Sequence, residues 1–183
     1  MWKIIVFVLG TGLLIFISRA SLRFSRSHGF YRFFAWELIL ALFLLNVNLW
    51  YANPFAWYQL ISWTLLFASL VPLIYGVREL RARGKPDEGP RDDPSLLAFE
   101  NTSQLVTSGV YRYIRHPLYS SLLILTWGIF FKSPGWLGLS LSIATTFLLL
   151  ATARADEAEC IQFFGEPYRD YMRRSKRFIP FLF

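Results

Sequence analysis

The sequence predicts an all-α integral membrane protein with five transmembrane helices, and three observations carry that prediction. Of 183 residues, 55% are hydrophobic, 19% aromatic and only 17% charged, whereas a soluble domain carries roughly a quarter charged residues. The mean hydropathy is +0.39. The charges are confined to a few stretches between apolar runs of about the length that crosses a hydrocarbon core. Basic residues also alternate from loop to loop: 17 Lys and Arg fall in every second connection and two in the others.

The first span is 1–18, an apolar run with one Lys, followed by an Arg-rich stop rather than a small-residue cleavage site. Spans 33–50 and 54–75 follow, separated by Tyr51, Ala52 and Asn53, and read as a helical hairpin. Spans 117–131 and 136–153 form a second hairpin around Lys132, Ser133, Pro134 and Gly135, whose Pro and Gly are turn residues. The positive-inside rule then puts the N-terminus outside and the loop 77–116 and tail 154–183 in the cytoplasm, at the cell membrane if the source is a prokaryote. The chain reads as one membrane domain. The first half of the long loop, rich in Gly, Pro and mixed charges, reads as mobile, and the second half as a docking segment.

A single cysteine, Cys160, excludes an internal disulfide and multi-cysteine metal sites, and two histidines, His28 and His116, argue against a protein-ligated catalytic metal. The net charge of +7 is explained by the cytoplasmic loops, so no nucleic-acid partner is expected. Nothing in the sequence sets the oligomeric state. Glu37 is an intramembrane charge, about one turn from Arg32 and expected to snorkel. The basic residues 173–177 are expected to meet anionic headgroups.

Chemistry-bearing residues collect at the cytoplasmic ends of the last two spans. Tyr111, Arg115, His116 and Tyr119 stand on one side, and Arg154, Asp156, Glu157 and Glu159 on the other. Pro117 suits a first helical turn and so fixes His116 at the helix start. Carboxylates, backbone donors and aromatic surface in one cluster would suit a sulfonium donor that carries an amino-acid tail and an adenine. A carboxylate acceptor would need no base, whereas an amine must lose a proton, with His116 or Glu157 as candidate acceptors. The plainer alternatives are a simple helix cap at His116, a solvated helix face at 154–157 and interfacial belt tyrosines.

The stretch LVTSGVYRYIRHPLY at 105–119, followed by ADEAECIQFFGEPYRDYMRRSKRFIPF at 155–181, resembles the C-terminal half of the isoprenylcysteine carboxyl methyltransferases. It is similar also to the related membrane phospholipid N-methyltransferases. The resemblance covers roughly 103–181, and the first hundred residues match only as apolar helices. It implies an S-adenosylmethionine site on the cytoplasmic side, formed by the segments flanking the last hairpin. Carried over by position, Ser103, Gln104, Leu105 and Val106 would supply mainly backbone contacts. Tyr111, His116, Pro117, Leu118 and Tyr119 would surround the cofactor, Asp156 and Glu157 would be the acidic pair, and Arg154 and Glu157 the catalytic candidates. Asp156 departs from the family's Glu, Ser103 from a His, and Ser175 and Lys176 from a Val-Pro. The implied activity is methyl transfer to a lipophilic or lipid-modified acceptor at the membrane, foremost carboxyl O-methylation of an isoprenylcysteine-like substrate. N-methylation of an ethanolamine headgroup is the alternative. A nicotinamide-dependent membrane reductase or a non-catalytic membrane protein are the alternatives of another class.

Overall fold

A computed structural model describes residues 1–85, 96 and 100–180. Most of the loop segment expected to be mobile (86–95), and the terminal 181–183, lie outside the described residues. Among the described residues there are six α-helices: α1 Trp2–Ser18, α2 His28–Asn46, α3 Trp57–Arg83, α4 Pro117–Phe130, α5 Trp136–Phe164 and α6 Glu166–Arg174. Extended pairing among them is limited to one isolated parallel bridge between Ile114 and Lys176.

Three helical stretches are long and apolar enough to cross a membrane: His28–Leu49, Trp57–Arg83 and Trp136–Phe164. The other two expected spans are shorter apolar helices, α1 with 17 residues and α4 with 14. At 1.5 Å per residue they reach about 26 and 21 Å, short of a core about 30 Å thick. The helix α1 buries only Ser18 and exposes Ile4, Ile5, Leu9, Leu13 and Phe16. An apolar surface of that extent fits a membrane protein.

The boundaries differ from those expected for physical reasons. The second span starts at His28 rather than 33, because the Ser27 hydroxyl accepts from the Phe30 amide at 3.2 Å and caps the helix inside the Arg-rich stretch. The third runs past its apolar part to Arg83, and the fifth continues as an amphipathic helix to Phe164 and breaks at Gly165, as its sequence predicts. Charged side chains there continue the helix once the bilayer requirement ends. The expected α2–α3 hairpin is also corrected: the link between the two helices is short, but α2 packs mainly on α5 and α3 on α4. Asn46 reaches across to donate to the Ile129 carbonyl at 2.9 Å, and Ser62 to the Gly128 carbonyl at 2.7 Å.

Glu37 does not turn to Arg32. It accepts from the Thr11 hydroxyl of α1 at 2.9 Å, while Arg32 donates to Glu100 at 2.6 Å.

Candidate active site

The end of the bundle where the starts of α2 and α4 meet the C-terminal part of α3 holds a cavity with about 640 Å³ of empty space, partly open to solvent.

Local geometry explains how the 105–119 segment reaches it. Gly109 has φ +57°, a backbone conformation glycine adopts without strain, and an added Cβ would lie 2.5 Å from the Glu79 carboxyl carbon. Ser108 donates to that same carboxylate at 2.8 Å. The turn that follows buries Tyr111 against the cavity. Gly76 of α3 lies under Pro117, where a Cβ would approach the ring to 3.1 Å, so α4 starts close against α3 with His116 at its head.

The tail closes the site from the other side. Arg115 and His116 donate their amides to the carbonyls of Lys176 and Arg177 at 2.7 and 3.1 Å. The Lys176 amide donates to Tyr113 O at 3.0 Å, and the Tyr171 hydroxyl to Tyr111 O at 2.6 Å. Arg177 is therefore not spent on headgroups, as the sequence suggested, but on Glu157.

His116 lies between two carboxylates, with Nδ1 3.4 Å from Asp156 Oδ2 and Nε2 3.3 Å from Glu157 Oε1, and its ring stacks on Tyr119. Burial disfavours its charge, but the hydrogen bonds to Asp156 and Glu157 outweigh burial and raise its pKa. Burial pushes the Tyr111, Tyr168 and Tyr171 hydroxyls well above their ordinary range, so they stay neutral donors. Glu157 is 5% exposed and accepts from Arg115 Nε at 3.0 Å and Arg177 Nη2 at 2.7 Å.

Of the residues singled out by the sequence, Leu105, Val106, Tyr111, His116, Pro117, Leu118, Tyr119 and Asp156 line the cavity. Ser103 and Gln104 do not: both amides donate to Gly84 O, and the Ser103 hydroxyl to Lys85 O at 2.7 Å. Thr102 lines it instead. Glu157 stands behind the lining, holding Arg115 and His116. Arg154 is exposed and is not part of the wall.

Sequence reasoning missed His28, Glu100, Thr102, Tyr168 and Tyr171 in the wall. His28 comes from the start of α2 and bonds to Glu159, 131 positions away, through both its amide and its Nδ1. No local pattern signals such a contact. His28, Asp156 and Glu159 offer donor atoms within 4.8 Å of one another, a spacing a metal ion could use. Nδ1 and the Glu159 carboxylate are, however, bonded directly to each other, so the group is a hydrogen-bonded pair with Asp156 beside it.

The apolar helices fit a helical membrane protein, and one end of its bundle carries a cavity partly open to solvent. Residues 96–167 match the family model of the phospholipid methyltransferases, which overlaps most of the wall. This match bears out the resemblance to the membrane methyltransferases and supports a membrane methyltransferase in general. No curated protein and no solved structure matches the chain.

Proposed function

We propose that the protein is an S-adenosylmethionine-dependent methyltransferase whose acceptor is an amine carried on a lipophilic molecule in the bilayer. The observation that carries the reading is the composition of a cavity wall formed largely by the matched segment: apolar Leu105, Val106 and Leu118, with Tyr111 and Asp156. These residues fit the donor, offering apolar surface to an adenine and a carboxylate to a sulfonium or ammonium. When bound, the donor supplies an electrophilic methyl group. The chain's own residues orient it, exclude water and hold the acceptor in line.

The choice of an amine over a carboxylate rests on the charges in the wall. A carboxylate acceptor calls for a cation with its fork unspent. Arg115 is committed to Glu157 and to the carbonyls of Met172 and Ser175, and Arg32 to Glu100. Glu100, paired with Arg32, and Asp156, beside His116, bring two carboxylates to the cavity lining. An isoprenylcysteine-like acid remains the second reading, favoured by the motif set at 105–119 and 155–181.

The proposal includes five membrane-embedded helices, N-terminus outside and cavity on the cytoplasmic side. Single cysteines at Asn53 and Pro134 in a Cys160-free chain should react with an impermeant thiol reagent outside intact cells, and protection of both overturns this orientation.

Calorimetry with S-adenosylmethionine in detergent tests the donor. His116→Ala should weaken binding about ten- to hundred-fold, equivalent to about 1.5–3 kcal/mol for a charge-assisted contact. Binding of NADPH in place of S-adenosylmethionine would support the reductase instead. Turnover of phosphatidylethanolamine against a prenylcysteine acid separates the two acceptors.

A further inference from the structure

The only buried imidazole nitrogen in the described residues without a hydrogen-bond partner is Nε2 of His28. The His28 side chain is 0% exposed to solvent, yet the residue lines the cavity. Its other nitrogen, Nδ1, is bonded to Glu159 Oε2, and Glu159 Oε1 accepts from the His28 backbone amide at 2.9 Å. One carboxylate thus grips the residue twice. It fixes the ring and, by taking the proton side of Nδ1, leaves the Nε2 lone pair as the basic site. The same logic of a carboxylate orienting an imidazole operates in nucleophilic catalysis.

We propose that His28, oriented by Glu159, is the proton acceptor for the amine substrate. This rests on the methyltransferase reading above. An ammonium cannot attack a methyl group until it has lost a proton. The proton passes from the amine nitrogen to Nε2 as the N–H bond breaks. The freed lone pair then forms the C–N bond, while the electron pair of the broken C–S bond stays on sulfur as a neutral thioether. The proton leaves His28 for water before the next cycle.

The other two candidates are engaged elsewhere. Both ring nitrogens of His116 face carboxylates, and Glu157 is held by Arg115 and Arg177. The charged groups acting on His28 are Glu159 and Asp156 on α5 and Arg32 on its own helix. Glu100, Arg115, His116, Cys160 and the tyrosines Tyr111, Tyr119, Tyr168 and Tyr171 share the cavity lining with it.

The first test needs no turnover. The chain has two histidines, so nitrogen-15 imidazole spectra of the full-length protein in detergent, without donor, give two residues' signals, and H28Q assigns them. Neutral His28 should carry its proton on Nδ1. A proton on Nε2, or a ring doubly protonated throughout the active pH range, overturns the proposal.

The second test offers phosphatidylethanolamine in mixed micelles and free ethanolamine in parallel, so the arm that turns over shows whether the amine comes from a lipid headgroup. On that arm H28Q should lose about 10²–10⁴-fold in turnover and the acid limb of the pH–rate profile. Donor affinity should stay within about threefold. An unchanged limb with turnover within about threefold overturns the role of His28 alone. If H28Q does not fold, E159Q serves: loss of the carboxylate should move the acid limb to lower pH, and an unmoved limb overturns the pairing. A wild-type protein that binds no donor, or methylates only a prenylcysteine acid, overturns the underlying reading as well.

Discussion

Arg177 clasps Glu157 with both sides of its guanidinium, Nη2 donating to Oε2 at 2.7 Å and Nε to Oε1 at 3.1 Å. Arg115 and His116 share the same carboxylate, so one buried side chain of α5 ties the tail, the segment before α4 and the head of α4 together. The tail cannot leave without exposing this junction.

Removing that carboxylate leaves two guanidinium groups beside an uncompensated hole. Glu157→Ala should therefore destabilise the protein by about 3–5 kcal/mol, the range for breaking a buried ion pair from one side. Thermal unfolding in detergent is the measurement. A loss under about 1 kcal/mol would show that water already supports the junction.

The junction was partly legible in the sequence, and the reason is proximity. Pro117 and the Ser133-Pro134-Gly135 turn mark the last hairpin, whose legs bring His116 to Asp156 and Glu157. The tail partner of Glu157 and the partner of Glu159 were not legible. Arg115 was placed near Glu157 by the same hairpin, but Arg177 and His28 arrive from other elements, and only packing of α2 on α5 and of the tail along 113–116 makes them neighbours. The helix limits depart from the apolar runs at Ser27 and Arg83, where helix and apolar composition do not coincide, whereas the break of the fifth helix at Gly165 is where the sequence puts it.

His116 gives a pH signature whose sign follows from its raised pKa. A histidine that holds its proton more tightly when folded contributes stability that is complete below its unfolded pKa of about 6.5 and lost as pH rises through the folded value. The melting temperature should therefore fall as the pH rises above about 6.5, and His116→Gln should flatten that fall. Because His28 titrates in both proteins, the difference between the two profiles is the quantity to compare. Parallel profiles would mean that Asp156 and Glu157 do not hold the imidazolium.

At the opposite end of the bundle Lys132, in the turn between α4 and α5, is 1% exposed. Its ammonium donates to Gln59 Oε1 at 3.0 Å and sits 3.5 Å from the Trp63 ring centroid. Gln59 in turn donates to the carbonyls of Leu49 and Lys132. Gln59→Leu takes the hydrogen-bond acceptor from the ammonium and the side-chain donor from the Lys132 carbonyl, while the Leu49 carbonyl keeps the Ala52 amide, and should cost about 1–3 kcal/mol. Lys132→Met keeps the stem and removes the charge, so it should cost less. In the double variant the penalties should be less than additive, since the two residues form one network. Strict additivity in thermal unfolding would mean the pair does not interact.

The two arginines near the acidic pair separate a local from a tertiary reading of the sequence. Arg154 neighbours Asp156 and Glu157 along the chain, but it is exposed and absent from the cavity wall, whereas Arg115, 42 positions before Glu157, bonds to it and lines the wall. Arg115 also donates to the carbonyls of Met172 and Ser175, a planar arrangement that an ammonium cannot span. Arg115→Lys should therefore loosen the tail and weaken donor binding together, with a loss of about 1–3 kcal/mol in stability. Arg154→Ala, at a surface position, should stay within about 0.5 kcal/mol in stability and near wild type in donor affinity and turnover. Both variants should be compared by calorimetry and by turnover on amine and carboxylate acceptors. A large loss in Arg154→Ala confined to the carboxylate acceptor would return Arg154 to the site and favour the prenylcysteine reading over the amine.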